Sequence, residues 1–354
     1  MSTSYWWQEA APNPNPIALI RARQRQNQLT KPQGSLGRLE AIAVRLAALQ
    51  DTETPHIDKV AISVFAGDHG VVEEGVSAFP QAVTTEMMKN FVAGGAAISV
   101  LARHLNATLR VVNVGGLAEA GSLPGVVDRV VRHGTANFCK EPAMSTEDFI
   151  HAMAAGQAEA KVAIEQGADL VIGGEMGIGN TTSATALLSH WLDLAPSLIA
   201  GPGTGLDAAG VSHKAQIVER AIQLHAEQIR YPETLLQHLG GIEIVALAGY
   251  YIAAAQGGKA ILVDGFICTA AALLAIAMNT SVSAWMFFSH TSAEPGYKVV
   301  KNYLPSPPIL DLQMRLGEGS GAAVCVPLLK MACALHNEMA TFEQAQVSNQ
   351  EGTQ

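Results

Sequence analysis

Glu318 stands between two glycines in RLGEGSGAA (315–323), ahead of an apolar helical run over 322–335. A carboxylate in a glycine turn at a helix start has two readings. It is a plain N-terminal charge favoured by the helix macrodipole, or a general base whose pKa is raised by desolvation in a partly apolar cleft. Spacing alone favours the first and leaves the second open. The segment GGEMGIGNTTSA (173–184) places Glu175, Gly177, Gly179, Asn180 and Thr181 between a strand pattern and a helix pattern. Glycines there allow close backbone approach, and a helix start offers unpaired N–H groups to a phosphate. GPGTGLD (201–207), with Gly203 and Gly205, is a second such loop and is followed by Lys214. Neither loop is a GxxxxGK[ST] nucleotide loop or a GxGxxG turn after a strand. Two loops and a lysine point to an anion site, while a pair of tight turns with helix caps remains the competing reading.

Other chemistry-bearing residues cluster less tightly. Asp264 follows an apolar strand pattern and reads equally as a helix cap or as a contact to a substrate hydroxyl. Asp68 and His69 end another such run; without HxH or HExxH spacing, a structural or positioning role is favoured over a metal site. Ser289, His290 and Ser292 invite comparison with a Ser–His–Asp triad, but no GxSxG elbow accompanies them. Cys139, Cys268, Cys325 and Cys333 form no CxxC pair and read as buried thiols.

The elements that must position these residues follow one grammar. VAISVFAGDHG (60–70), LRVVNVGG (109–116), ADLVIGGEMGIGN (168–180), KAILVDGF (259–266) and SAWMFFSHTS (283–292) are apolar runs that end in polar or glycine-rich turns. Helical patterns lie between them, as at 147–166 and 213–230. Strand, glycine turn and helix in repetition predict an α/β fold, a mostly parallel, Rossmann-like sheet with helices on both faces. Ligands bind such sheets outside the carboxyl ends of the strands, where the candidate residues fall. Before this region, 17–29 and 36–49 are helical patterns, and the Tyr5-Trp6-Trp7 cluster is expected to pack against that helical part. The polar run from Met339 reads as a frayed end.

In a chain of 354 residues, 49% are hydrophobic and 15% charged, which excludes a disordered chain and supports a large core. The net charge of −9 argues against a nucleic-acid or anionic-membrane binder. The most apolar stretch, 261–278, contains Asp264 and Gly265 and reads as strand, turn and helix, not as a membrane span. The first twenty residues lack a basic then apolar leader pattern, so a cytoplasmic protein is expected.

Taken together, KPQGSLGRLE (31–40), GDHGVVEEGVSAFPQAVT (67–84), GEMGIGNTT (174–182), VDGF (263–266), SHTSAEPG (289–296) and RLGEGSGAA (315–323) occur in a familiar order. Over roughly residues 25 to 338 the sequence resembles the nicotinate-nucleotide–dimethylbenzimidazole phosphoribosyltransferase family, which makes the lower-ligand nucleotide of cobalamin. The resemblance implies transfer of the 5-phosphoribosyl group of nicotinate mononucleotide to 5,6-dimethylbenzimidazole, without metal or redox cofactor. It implies a homodimer, and a small helical domain (1–58 with 325–354) beside a large α/β domain (59–324). It makes Glu318 the general base and Glu175 a second acid that orients substrate or assists proton transfer. Gly177, Gly179, Asn180, Thr181, Gly203, Gly205, Lys214, Asp264 and Ser292 become the nucleotide and phosphate contacts. Phe79, Pro80, Met87 and Leu316 become the base pocket.

The chain departs from the family pattern in places. Phe79 stands where Ser is frequent, Met87 where a glutamine contacts the base, and Asn113 where Asp is usual. The first two changes make the base pocket more apolar and leave the accepted base open: another benzimidazole, a purine or a phenol. A catalytically silent nucleotide-binding module is the alternative from a different functional class.

Overall fold

Every side chain of β1 (Val60–Gly67) is buried, as a strand covered on both faces requires. The computed structural model describes residues 5–119 and 121–348. Around β1 lie β2 (Thr108–Gly115), β3 (Val127–Asp128), β4 (Leu170–Met176), β5 (Ala260–Val263) and β6 (Met286–Phe288). They form one sheet in the order β3-β2-β1-β4-β5-β6, and each adjacent pair is parallel. The five apolar runs read from the sequence are β1, β2, β4, β5 and β6. The two-residue β3 is an addition: it is too short for a period-2 pattern and exists only through pairing at Val112 and Asn113. This order reverses direction between β1 and β4, and a crevice opens there at the carboxyl ends.

Neighbouring glycines of β4 show how both faces are filled. Successive strand residues point to opposite sides. A Cβ on Gly173 would meet Leu247 and Tyr251 of the Ile242–Gln256 helix. A Cβ on Gly174 would instead meet the backbone of Glu318 and Gly319, where the Ser320–Glu338 helix begins. The Thr146–Glu165 helix covers Ile242–Gln256, with Gly156 against the Ala246 carbonyl. On the Gly174 side, Ala97–Leu105 packs on β2 and on Ser320–Glu338.

The 261–278 stretch resolves into β5 and the helix Phe266–Met278, and no helix among the described residues is long and apolar enough to cross a membrane. The 213–230 pattern begins earlier than expected, in Ala208–His225, because Asp207 Oδ1 accepts from the Gly210 N–H at 2.8 Å and starts the helix there.

Pro16–Gln28 and Arg38–Gln50 pack on each other, and the latter packs on Ser320–Glu338. Arg25 donates to the carbonyls of His336 and Asn337 at 2.7 and 2.8 Å. The run from Met339 is not frayed at its start. Thr341 bridges Leu29 and caps a short helix, Phe342–Ala345, whereas residues 349–354 lie outside the described part. The aromatic cluster also corrects the expectation. Trp7 is buried edge-on to Phe149 at 5.8 Å, with Tyr5 stacked on it at 4.3 Å. Gln256 and Asn279 donate to the Trp6 and Trp7 carbonyls. The cluster therefore seals the α/β layers and not the terminal helices.

Candidate active site

A cavity of about 430 Å³ opens at the carboxyl ends of β4, β5 and β6. Glu318 forms part of its wall. Gly317, Glu318 and Gly319 all adopt left-handed backbone, with φ of 87°, 64° and 83°. The two glycines do so at no steric cost, while for Glu318 it costs about 1–2 kcal/mol. Gly317 is required twice over, since a Cβ there would lie 2.3 Å from Glu175 Oε1. This tight turn lies directly against Gly174, so the carboxylate is delivered from a distant part of the chain onto one face of β4.

Glu318 is 6% exposed, and its Oε2 has no hydrogen-bond partner. Burial pushes its pKa up to about 7; the Ile98 N–H opposes this, and the nearby Asp264 charge adds to it. Glu175 is equally buried. Its pKa is pushed up to about 8, first by burial and then by the charges of Asp264 and Glu243, against a hydrogen bond donated by Asn180. Glu318 repels it as well. Two acids in one dry wall disfavour simultaneous ionisation, so a proton is held near neutral pH by at least one of them.

Both glycine loops contribute to the same cavity. Gly177, Asn180, Thr181, Gly203 and Gly205 line the cavity, together with Ser292. Gly179 caps the Asn180–Trp191 helix from behind and does not line it. Lys214 is buried beneath the second loop and donates to the Gly201 carbonyl at 3.1 Å and to Thr181 Oγ1 at 3.2 Å. Burial lowers its pKa to about 8, opposed by Glu294. Glu294 and Arg315 also line the cavity. Sequence reasoning did not single them out, although each sits inside a quoted motif, the acid in SHTSAEPG and the cation opening RLGEGSGAA. Phe79, Met87 and Leu316 form an apolar rim with Val83 and Ile178, whereas Pro80 lies outside it.

Asp264 is 1% exposed and lies outside the lining. Its Oδ2 accepts from the Gly319 N–H at 3.1 Å and its Oδ1 from the Ala322 N–H at 2.8 Å. It caps a helix, but the one after Glu318 and not the one after its own strand. Asp68 accepts from Thr84 Oγ1 and from the Leu117 N–H at 2.7 and 3.0 Å; Thr84 in turn accepts from the Ile178 N–H. That chain of bonds steadies the first glycine loop. His69 pairs with Glu243 at 2.7 Å, both fully buried. Ser289 Oγ and Asp264 Oδ1 both approach the same nitrogen of His290, Nδ1, at 3.0 and 3.8 Å. A triad needs acid and nucleophile on opposite ring nitrogens, so these three residues are not one.

A phosphoribosyltransferase family model matches residues 11–347. Nicotinate-nucleotide–dimethylbenzimidazole phosphoribosyltransferase of Pseudomonas putida (strain KT2440) is 55% identical over 347 residues, covering 98% of this chain and 99% of that protein. The chain belongs to the nicotinate-nucleotide–dimethylbenzimidazole phosphoribosyltransferase family. The same-named protein of Pseudomonas aeruginosa (strain PAO1) is 53% identical over 97% of this chain and 98% of its own. A solved phosphoribosyltransferase structure of that name from Thermus thermophilus superposes with a TM-score of 0.88 at 42% identity, covering 95% of this chain and 99% of that one. A second structure from the same organism, CobT, gives 0.90 at 44%, covering 94% and 100%.

Within this phosphoribosyltransferase, one of the motifs that carry the resemblance, KPQGSLGRLE, does not line the cavity. Lys31 pairs with Glu40 at 2.8 Å under cover, and Arg38 donates to the carbonyls of Pro307 and Pro308. The Arg38 bonds tie the motif to the segment that runs beside His290 through the Leu310 bridge and leads to Arg315 and Glu318.

Proposed function

We propose that this enzyme moves the 5-phosphoribosyl group of nicotinate mononucleotide onto 5,6-dimethylbenzimidazole, with Glu318 accepting the proton that the attacking ring loses. One benzimidazole nitrogen forms the new bond to C1′. The bond from C1′ to the nicotinate ring nitrogen breaks, and the pair returns to that nitrogen, discharging its positive charge. The other benzimidazole nitrogen gives its proton to Glu318. Attack opposite the leaving ring inverts C1′, so the products are α-ribazole 5′-phosphate and nicotinate.

One observation carries the assignment: Glu318, a buried carboxylate with one oxygen lacking a hydrogen-bond partner, lines a cavity of about 430 Å³ at the carboxyl ends of the strands. A base poised near pH 7 combines basicity with availability. Glu175 beside it supports a role in orienting substrate or passing the proton. The glycine loops, with Lys214 beneath, suit the phosphate and ribose. The apolar rim of Phe79, Met87 and Leu316 suits a flat aromatic base.

Other lower-ligand bases, whether benzimidazoles, purines or phenols, use the same groups, and competition between them reads out the preference. Exposed Phe79 and Leu316 at the rim support a homodimer. Four unpaired cysteines, three of them buried, suit a reducing cytoplasm. The packing of Pro16–Gln28 and Arg38–Gln50 with Ser320–Glu338 supports a helical part drawn from both chain ends, while Trp7 packs on the α/β layers and the expected boundary at 324/325 falls inside that last helix.

The test is Glu318→Gln with nicotinate mononucleotide and dimethylbenzimidazole, products separated by chromatography. Turnover is expected to fall by about 10²–10⁴, with nucleotide binding kept within a few fold. Undiminished turnover refutes the assignment of Glu318.

A further inference from the structure

We propose that Asp264 is a positioning residue that acts on the reaction through Glu318: its carboxylate locks the 317–319 turn in the conformation that presents Glu318 to the cavity. The proposal rests on the reading of Glu318 as base. It departs from the expectation that Asp264 touches the nucleotide.

Three observations carry it. Asp264 is buried outside the cavity lining, so reaching a substrate would require it to give up its present partners. Those partners are the N–H groups of Gly319 and Ala322, one on each carboxylate oxygen, on the two sides of the first helical residues. N–H donors on both oxygens suit the ionised form, and a carboxylate at a helix start is further favoured by the macrodipole. Finally, the turn it grips is strained. Glu318 holds φ +64° between two left-handed glycines, and flexible glycines on either side supply no rigidity of their own. The Ser320 N–H and hydroxyl close the turn on the Gly317 carbonyl at 3.0 and 2.6 Å, but the bonds from Asp264 are what fix its Gly319 side and so the direction in which it points Glu318.

Asp264 also acts by its charge. Titratable groups facing it are His290 after β6, Glu175 on β4, Glu318, Cys268 and the hydroxyls of Tyr251 and Tyr297. Burial raises the Asp264 pKa itself, while His290 and the N–H groups of Ala322, Gly265 and Gly319 oppose that. Its negative charge raises the pKa of Glu318 and of Glu175. Removing that charge lowers both.

The experiment compares wild type, Asp264→Asn, Glu318→Gln and the double variant. In Asp264→Asn an amide N–H₂ faces a backbone N–H, and one grip is lost. The expected result is a kcat lower by on the order of 100-fold, the cost of a misplacement of about 1 Å. KM for nicotinate mononucleotide stays within about threefold, and the acidic limb of kcat moves to lower pH. In the Glu318→Gln background the same change produces no further loss, because the two act as a unit. A raised KM with kcat retained overturns the proposal in favour of a ligand contact. A further loss of equal size in the Glu318→Gln background overturns it as well.

Full turnover in Glu318→Gln removes the underlying reading, a result separate from a silent Asp264→Asn, which removes only this proposal. A crystal structure of the wild-type enzyme with nicotinate mononucleotide decides independently of how the variants fold. No nucleotide atom is expected near Asp264, and one within about 3.2 Å of either oxygen overturns the proposal.

Discussion

Gly174 and Gly173 are neighbours on β4, and alanine at each should produce different defects. At Gly174 the new Cβ lies 2.4 Å from the Glu318 carbonyl oxygen and 2.5 Å from its carbonyl carbon. Ordinary contact begins near 3.4 Å, so the turn must withdraw by about 1 Å. Its backbone cannot yield by rotating a side chain. Displacements of that size in a reacting group cost on the order of 100-fold in rate. At Gly173 the Cβ meets Leu247 Cδ2 at 2.5 Å and the Tyr251 ring end at 2.9–3.0 Å, on the other face. Side-chain ends can shift there without moving the site.

Overpacking costs each variant about 1–3 kcal/mol of stability. Only Gly174→Ala should lose kcat, by roughly 100-fold, with the Gly173→Ala rate near wild type. Urea melts and steady-state kinetics on both variants check this. Equal rates in the two variants, with comparable stability losses, would refute the argument that the Gly174 contact sets the position of Glu318.

Protonation of the site predicts a bell-shaped profile. Glu318 must be ionised to act as base, so kcat should rise with pH through about 7, read by stopped assays of nicotinate release. Lys214 loses its charge as pH rises through about 8, so KM for the nucleotide should climb on the alkaline side while the acidic limb stays in kcat. In the rim, Met87→Gln adds a donor and acceptor beside the base. It should shift the ratio of kcat/KM for adenine over dimethylbenzimidazole upward by about 10-fold, measured with both bases competing in one mixture.

Much of this protein is visible in the order of its residues. β1, β2, β4, β5 and β6 are apolar runs that end in glycine-rich or polar turns, because strands covered on both faces exclude polar side chains and the following turns need close backbone approach. Glu318 and Glu175 stand out by the same logic, since acids among glycines at strand and helix boundaries are exposed to a crevice. The motif order identifies the family for a related reason: each motif is a local backbone solution that leaves a contiguous trace.

What escaped is non-local. The two residues of β3 have no pattern of their own and are strand only because β2 lies beside them. Trp7 finds Phe149 across 142 positions of chain, and hydrophobicity alone says that it is buried but not where. Asp264 reads locally as a substrate contact or the cap of its own helix; folding carries the 317–322 segment onto it instead, 55 and 58 residues away. Glu318 followed by spacing is a helix-start charge more readily than a base. Its elevated pKa arises from burial among distant segments and from the carboxylate of Asp264, against the N–H of Ile98, and the same packing leaves one of its oxygens without a partner. Local chemistry is written in neighbouring residues, whereas desolvation and charge coupling depend on which distant segments share a few ångströms, and only the packed chain decides that.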